Sequence, residues 1–356
     1  MPLVRDNIIQ MAGYVPGEQP GDISVIKLNT NENPYPPSPR VLEAVRQITA
    51  EQLRRYPSPD ARMFREAAAK VHGISPDMIL CTNGGDELLS LVFRACVSND
   101  DPVAFLDPSY SLYPVLAAMQ DAGKIILPYR INGTQWEFPP EIFKLNAKLL
   151  LIVNPNAPSG TLADLPTLER IIRGFPGVVL VDEAYVDFAP ASALPLVRDH
   201  DNVILLRSMS KGYGLAGMRF GYGIAQPSLL AELHKVRDSY PCDAVAIAAA
   251  TAAIMDQAYA AGTWEKIKHQ RDALINPAPH WPAYLPSARW PSRSGICRAY
   301  RPAPAEWPSL IPAIHLPPYD AHQCADHLWP SRQGPTCRAG PDDPACDQKS
   351  PRPWKP

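Results

Sequence analysis

Short, mostly apolar runs recur along the first two thirds of the chain, without the alternation of apolar and polar residues that a half-exposed strand shows. Runs of this kind predict strands that are buried on both faces of a sheet. They lie at residues 79–81, 103–106, 124–127, 149–153, 178–181 and 203–206.

The segments between these runs carry apolar residues at the spacing of a helix. Val41, Val45 and Ile48, for example, belong to a pattern that predicts one helix over residues 39–53. Further helices are expected over residues 86–97, 109–119, 165–172, 228–237 and 244–259. Because strands and helices alternate, we expect the α/β class, with a mostly parallel sheet that is covered by helices on both faces.

The composition changes near residue 272. Of the 42 prolines, 18 fall in residues 273–356, together with five of the seven tryptophans and four of the seven cysteines. Such dense proline precludes long helices and central strands, so we expect a Pro-rich, disordered tail. Disordered segments are usually poor in tryptophan and cysteine, and we therefore favour translation of a GC-rich gene in a shifted frame. The predicted division is an arm at residues 1–40, a large domain at 41–272 and this aberrant tail.

Net charge and cysteine content argue against several function classes. With 34 basic and 36 acidic residues the formal net charge is -2, which offers no electrostatic attraction for nucleic acid or an anionic membrane. No apolar run approaches the roughly 20 residues that span a bilayer, and the first residues lack the apolar segment of a secretory signal. The seven cysteines follow no metal-binding spacing. We therefore expect a cytoplasmic protein without a metal site.

Polar residues follow the predicted strands at their carboxyl ends, where α/β sheets bind ligands. Gly84 and Gly85 open a helix after the first strand, which lets backbone N–H groups approach an anion. The later strand ends supply an aromatic ring, a carboxylate, a phenol, two hydroxyls, a lysine and an arginine. These are Tyr110, Asp182, Tyr185, Ser208, Ser210, Lys211 and Arg219. Pyridoxal phosphate needs such a set, because a lysine forms a Schiff base with its aldehyde and an aspartate pairs with its pyridinium nitrogen.

Longer motifs make the comparison specific. The chain resembles fold-type I aminotransferases at residues 208–211 (Ser-Met-Ser-Lys) and 214–222 (Gly-Leu-Ala-Gly-Met-Arg-Phe-Gly-Tyr). Residues 28–36 (Leu-Asn-Thr-Asn-Glu-Asn-Pro-Tyr-Pro) and 55–57 (Arg-Tyr-Pro) narrow this resemblance to histidinol-phosphate aminotransferases. The resemblance extends from about residue 5 to residue 272. It implies fold-type I, pyridoxal 5'-phosphate as the cofactor and a homodimer.

The resemblance also implies a role for each matching residue. Lys211 would form the Schiff base and move protons, Asp182 would pair with the pyridine nitrogen, and Tyr185 would contact the 3'-oxygen of the ring. Tyr110 would stack on the ring. The residues expected at the phosphate are Gly85, Asp86, Glu87, Ser208, Ser210 and Arg219, with Tyr56 contributed by the neighbouring subunit.

The chain departs from the family pattern in two places. Where many relatives have an asparagine that binds the ring 3'-oxygen, this chain has Ala157, so the contact is lost or passes to Asn156. The family also has a small C-terminal domain with an arginine that grips the substrate, and nothing in residues 273–356 resembles it. Tyr14 and Asn33 remain as the candidates on the substrate side.

The activity that the resemblance implies is transamination of L-histidinol phosphate with 2-oxoglutarate, which yields imidazole-acetol phosphate and L-glutamate in histidine biosynthesis. Two alternatives stay open. A related aromatic aminotransferase or a phosphothreonine-type decarboxylase would share the cofactor site and differ in the substrate site. A catalytically impaired cofactor-binding protein would result if a shifted frame had removed the small domain.

Overall fold

The computed structural model describes residues 3–20, 27–132 and 135–275. Among these residues, the strands are β1 (Ile79–Thr82), β2 (Pro102–Asp107), β3 (Gly123–Pro128), β4 (Arg130–Asn132), β5 (Gln135–Glu137), β6 (Leu149–Val153), β7 (Val178–Asp182), β8 (Val203–Ser208) and β9 (Gly221–Ala225). The α-helices are α1 (Asp6–Gln10), α2 (Pro39–Arg46), α3 (Ala50–Leu53), α4 (Arg62–His72), α5 (Gly84–Cys96), α6 (Tyr113–Met119), α7 (Leu165–Gly174), α8 (Leu194–Asp199), α9 (Pro227–His234), α10 (Ala244–Met255) and α11 (Gln257–Ile275).

Seven of these strands form one sheet in the order β1-β9-β8-β7-β6-β2-β3, while β4 and β5 pair separately. From β8 to β3 the neighbours run parallel, and β9 runs antiparallel to both β1 and β8. The carboxyl ends of β1, β7 and β8 therefore lie at the same edge of the sheet. This confirms the predicted α/β class and the mostly parallel sheet.

Alternate residues of the central strands face two separate hydrophobic cores. On β6, Leu150 and Ile152 belong to one core, whereas Leu149, Leu151 and Val153 belong to the other. The first core is covered by helices that include α2, α4, α7 and α10, and the second by α5, α6 and α9. A strand that is buried on both faces needs apolar residues at every position, which is why the apolar runs located these strands.

All six predicted strands are confirmed, each within two residues of its predicted ends. The expected single helix over residues 39–53 is wrong, because α2 ends at Arg46 and α3 starts after Thr49. Thr49 and Gln52 form a reciprocal capping box at that second start, which satisfies backbone N–H groups of a new helix. Helix α6 begins at Tyr113 instead of residue 109, with Pro114 in its first turn, a position that proline favours.

The expected helix over residues 244–259 is also two helices. Asp256 has non-helical dihedral angles between α10 and α11, and the two axes are bent by 76°. Taken together the pair has the length and apolar composition of a membrane span, but no single helix among the described residues has both. Helix α11 continues to Ile275, beyond the predicted domain boundary at residue 272. The interpretation of residues 276–356 lies outside the described residues and stays a prediction.

Candidate active site

The carboxyl ends of three strands meet at one edge of the sheet. Gly221, at the start of β9, pairs with Thr82 at the end of β1 and with Ser208 at the end of β8. Asp182, the last residue of β7, pairs with Leu206 of β8. This edge therefore gathers a carboxylate, two hydroxyls and the loop that follows β8.

The N-terminus of α5 forms an anion site at this edge. Gly84 begins the helix with φ +78°, a left-handed conformation that suits glycine. A Cβ atom on Gly84 would lie 2.8 Å from a guanidinium nitrogen of Arg219, and one on Gly85 would lie 3.0 Å from Leu206. Free N–H groups and the helix dipole attract an anion to such a terminus, and the adjacent guanidinium adds positive charge.

Asp86, in the first turn of α5, links the anion site to an aromatic ring. Its Oδ1 accepts a hydrogen bond from the Tyr110 hydroxyl at 3.0 Å, and its Oδ2 lies 3.2 Å from Nη2 of Arg219. Burial and the nearby Asp86 charge raise the pKa of the Tyr110 phenol, so its hydroxyl stays a donor. The Tyr14 ring lies edge-on to the Tyr110 ring, with centroids 6.3 Å apart. Tyr14 is thus placed beside the expected stacking surface.

The remaining residues that were expected at the phosphate have local partners. The Glu87 carboxylate accepts a hydrogen bond from the backbone N–H of Asn83, which precedes α5. The Ser208 hydroxyl oxygen accepts the backbone N–H of Ser210 at 3.1 Å. A serine hydroxyl that accepts one hydrogen bond can still donate another, so both serines remain able to donate to an anion.

Asp182 is a buried carboxylate whose two oxygens are both held. Oδ1 accepts the backbone N–H of Ala184 at 3.0 Å, and Oδ2 accepts the Tyr113 hydroxyl at 2.8 Å. Burial raises the pKa of Asp182 to about 6, helped by the charges of Asp86 and Glu183, while the two hydrogen bonds oppose the rise. A carboxylate with this pKa can form a strong ionic hydrogen bond with a protonated ring nitrogen near neutral pH.

Lys211 lies in the loop after β8 with a largely buried amine. Its Nζ donates to the backbone oxygen of Thr30 at 2.6 Å and lies 5.8 Å from the centroid of the Tyr185 ring. Burial lowers the pKa of Lys211, and the charge of Glu32 partly opposes this effect. A lowered pKa increases the fraction of neutral amine, which is the nucleophilic form.

Two asparagines of the N-terminal arm hold this region in different ways. Nδ2 of Asn33 donates to the backbone oxygens of Lys211 and Gly212, at 2.8 and 3.2 Å. Its amide donors therefore hold the lysine loop, and the expectation that Asn33 lies on the substrate side stays a prediction. Nδ2 of Asn31 donates to the Tyr185 hydroxyl at 2.9 Å, so the hydroxyl hydrogen of Tyr185 can be given to another acceptor.

The Asn156 amide is committed to the turn after β6. Its Nδ2 donates to the backbone oxygen of Pro108 at 3.1 Å and to Oγ of Ser159 at 2.8 Å. Its Oδ1 is buried without a hydrogen-bond partner among the described residues. Both amide hydrogens are thus in use, so Asn156 in this geometry has none to give to a ring oxygen in place of an asparagine at Ala157. The Tyr185 hydroxyl, by contrast, accepts from Asn31 and keeps its own hydrogen to donate.

Tyr56 lies apart from these contacts on the surface of the chain. Its side chain is 82% exposed, and its ring stacks on that of Tyr240 with centroids 4.5 Å apart and 15° between the planes. The pair leaves an aromatic surface open to solvent.

The donor set of this edge fits pyridoxal 5'-phosphate. An anion site, an aromatic face, a buried carboxylate and a buried lysine are joined through shared contacts, as the chemistry of that group requires. The sequence analysis missed Tyr113, Asn31 and Thr30. Tyr113 follows Tyr110 by three residues, a spacing that can bring two side chains to the same side of one turn, and this was the available signal.

The comparisons with known sequences agree with this chemistry. A sequence model of the family described as aminotransferase class I and II matches residues 23–278. The histidinol-phosphate aminotransferase of Citrifermentans bemidjiense is 48% identical over 271 residues, which are 75% of this chain and 76% of that protein. Histidinol-phosphate aminotransferase 1 of a Nostoc species is 46% identical over 273 residues, with 76% of each chain covered.

Solved structures give the same result for the fold. The histidinol-phosphate aminotransferase of Sinorhizobium meliloti in complex with pyridoxal-5'-phosphate superposes with a TM-score of 0.64 and 30% identity, covering 69% of this chain and 68% of that one. The aspartate aminotransferase of Thermus thermophilus with maleate gives a TM-score of 0.61 at 20% identity, over 70% of this chain and 71% of that one. The second similarity speaks for the fold alone.

Proposed function

The chain belongs to the class I and II aminotransferase family, and we propose that it catalyses the transamination of L-histidinol phosphate with 2-oxoglutarate. The products are imidazole-acetol phosphate and L-glutamate, and the place of the reaction is histidine biosynthesis. The two relatives described above carry the name histidinol-phosphate aminotransferase at 46% and 48% identity. The observation that carries the proposal is the joining of Lys211, Asp182 and the α5 anion site at one edge of the sheet.

Pyridoxal 5'-phosphate, when bound, supplies an aldehyde carbon that takes up the amino group and a ring that withdraws electrons from the reacting carbon. Lys211 is the residue that would hold the aldehyde end, because its buried amine has a lowered pKa. The same amine would take a proton from the substrate and return it at Nζ. The backbone oxygen of Thr30, 2.6 Å from Nζ, keeps the side chain in place.

Asp182 would hold the pyridine ring of the cofactor at its nitrogen, and Tyr110 would stack on the face of that ring. Asp182 is fully buried and would keep the ring nitrogen of the cofactor protonated as long as its carboxylate is charged. The hydrogen bond from Tyr110 to Asp86 fixes the tyrosine ring. Tyr185, with Asn31 as its donor, would give its hydroxyl hydrogen to the 3'-oxygen of the ring.

The phosphate group would occupy the N-terminus of α5. The backbone N–H groups of Gly85 and Asp86, and the Glu87 residue that follows them, belong to the first turn of this helix, whose positive end favours a dianion. The Arg219 guanidinium faces the same turn, where it now pairs with Asp86 at 3.2 Å. We infer that the phosphate competes with Asp86 for Arg219. The hydroxyls of Ser208 and Ser210 would supply further donors.

The partners and compartment of the protein follow as proposals from the same function. An amino donor and a 2-oxo acid are its small-molecule partners. We propose a homodimer in which Tyr56 reaches the phosphate of the neighbouring subunit, supported by the 82% exposure of its side chain. A biosynthetic enzyme of this kind works in the cytoplasm.

Residues 273–356 affect how active the protein can be. The family model ends at residue 278, close to the change in composition, and the last 84 residues hold 18 of the 42 prolines. We propose that residues 273–356 come from a shifted reading frame, so that the substrate-gripping arginine is missing. A catalytically impaired cofactor-binding protein is therefore the second candidate function.

Activity measurements on the full chain with pyridoxal 5'-phosphate separate these candidates. L-histidinol phosphate should be the preferred amino donor to 2-oxoglutarate, ahead of L-phenylalanine, and phosphothreonine should not be decarboxylated. Preference for phenylalanine would replace the proposal with an aromatic aminotransferase. Saturable binding of the cofactor without turnover of any donor would establish the impaired protein.

A further inference from the structure

Tyr113 is one of the largest fully buried side chains among the described residues. It is the first residue of α6, and its hydroxyl donates to Oδ2 of Asp182 at 2.8 Å. Its ring is fixed by aromatic neighbours. The Tyr110 ring stands edge-on at 5.7 Å and 88°, and the Phe105 ring is tilted at 6.2 Å. A ring that is packed this way holds the hydroxyl oxygen next to Asp182.

The groups that face Asp182 make this hydrogen bond important. Asp86, in the first turn of α5, and Glu183, the residue after β7, are negative, and they disfavour a negative charge on Asp182. The phenol of Tyr185 also lies close enough to respond to the Asp182 charge. Besides the backbone N–H of Ala184, the Tyr113 hydroxyl is the main described group that favours the charged carboxylate.

We propose that Tyr113 is a positioning residue, which keeps the Asp182 carboxylate charged and in one orientation by donating a hydrogen bond to Oδ2. Since its ring also supports the edge of Tyr110, it connects the carboxylate to the stacking surface. This proposal rests on the proposed function, because it takes Asp182 to be the partner of the ring nitrogen.

The chain offers a matched control for removing this hydroxyl. Tyr129 is also a buried tyrosine, but its hydroxyl has no hydrogen-bond partner among the described residues. Tyr113→Phe and Tyr129→Phe therefore remove the same atom from two buried rings. Only the first change takes a donor away from Asp182.

The first measurement is the titration of Asp182 in the cofactor-free full chain, followed by NMR of ¹³C-labelled aspartate. The Asp182 signal is identified by its loss in Asp182→Asn. Tyr113→Phe should raise the midpoint by about one pH unit, which corresponds to a tenfold change in proton affinity, and Tyr129→Phe should not move it. If Tyr113→Phe does not fold, replacement of Tyr113 by 3-fluorotyrosine decides instead. Its more acidic hydroxyl should lower the midpoint.

The second measurement compares two ligands that differ at one atom. Pyridoxal 5'-phosphate has the ring nitrogen, and its deaza analogue has a C–H group there. Because Asp182 has a pKa of about 6, a midpoint raised by one unit should weaken binding of pyridoxal 5'-phosphate to Tyr113→Phe about fivefold at pH 6 and less than about twofold at pH 8. Binding of the analogue should stay within about twofold at both pH values. An equal loss for both ligands, or an unmoved midpoint, would overturn the proposal and leave Tyr113 as a packing residue. If the wild type binds neither ligand, the proposed function fails, while the titration still decides the role of Tyr113.

Discussion

The Lys211 amine is buried, has a lowered pKa and donates to the backbone of Thr30. We expect borohydride reduction of the protein with pyridoxal 5'-phosphate to attach the pyridoxyl group to this residue, as peptide mapping would show. Lys211→Ala should abolish both the label and any turnover, because no other group can replace a covalent bond at that atom. Lys235→Ala, at an exposed lysine that pairs with Glu232, is the control and should behave as the wild type. A label on a different lysine would refute the assignment.

Asp182 predicts a pH dependence of stability with a definite sign. Its folded-state pKa is raised to about 6 from 3.8, so the folded state binds the proton more tightly than the unfolded state. The stability that this proton contributes is full below about pH 4 and is lost as the pH rises through about 6. Urea unfolding of the cofactor-free chain should therefore show the wild type losing about 2 kcal/mol relative to Asp182→Asn between pH 4 and 7. A constant difference across this range would contradict the prediction.

Asp182→Asn should also reduce turnover by several orders of magnitude while the cofactor still binds, because a neutral amide cannot keep the ring nitrogen protonated. Absorbance of the bound cofactor and the steady-state rate measure the two effects separately. A loss of only a few-fold in rate would show that the carboxylate is not essential.

Arg219 should act on the phosphate and not on the ring. Its guanidinium faces the first turn of α5, and an ionic hydrogen bond to phosphate is worth about 1.5–3 kcal/mol. Arg219→Ala should thus weaken pyridoxal 5'-phosphate about 10–100-fold by fluorescence titration, with no effect on pyridoxal. Arg173→Ala, at an exposed arginine that pairs with Glu169, should change neither. Equal weakening of both ligands would place Arg219 outside the phosphate site.

The close contact between β9 and the start of α5 requires a residue without a side chain at Gly221. A Cβ atom on Gly221 would lie 2.7 Å from backbone atoms of Gly84 and Gly85, so the N-terminus of α5 would have to move. Gly221→Ala should lower the free energy of unfolding by about 1–3 kcal/mol and weaken the cofactor. Gly174→Ala, at the end of α7 with no atom within 4 Å of the added carbon, is the control. Equal stability of both variants would mean that the junction can adjust.

The proposed dimer can be tested with two variants that damage opposite contributions to one site. Tyr56→Ala removes the residue expected to reach across, and Lys211→Ala removes the residue of the home subunit. Each mixed dimer should have one intact site and one site that lacks both residues. Because about half of the dimers in an equal mixture are mixed, about one quarter of the wild-type reducible cofactor should return, at a cofactor concentration too low to load the Tyr56→Ala sites. Sedimentation should show the dimer itself. No recovery in a mixture that does form hybrid dimers would mean that each subunit builds its own site.

The shifted-frame proposal for residues 273–356 has a test outside the protein. The match to this chain covers 76% of the Citrifermentans bemidjiense relative. One of the other two frames of the gene beyond codon 272 should encode a segment that resembles the C-terminal part of the relatives. If neither frame does so, the segment was not lost by a shift.

The sequence by itself determined the strands at the centre of the sheet and which polar residues follow each of them. A strand buried on both faces must be apolar throughout, so residues such as 149–153 revealed their structure locally. Lys211 and Asp182 could be picked out as site candidates because both come where a predicted strand ends, which the order of residues shows. The family resemblance then suggested a role for each. Gly84 and Gly85, which lie between a predicted strand and a predicted helix, indicated a turn whose backbone an anion can approach.

Only the tertiary structure decided the contacts between distant segments. Strand β9, with two glycines in five residues, has a weak local pattern, and its antiparallel place between β1 and β8 comes from pairing partners far along the chain. The hydrogen bonds from Tyr113 to Asp182 and from Asn31 to Tyr185 span 69 and 154 residues. The amide hydrogens of Asn156 are taken up by the backbone oxygen of Pro108 and by Oγ of Ser159. A local pattern records whether a side chain is buried, but which polar groups satisfy one another inside is fixed when the layers pack.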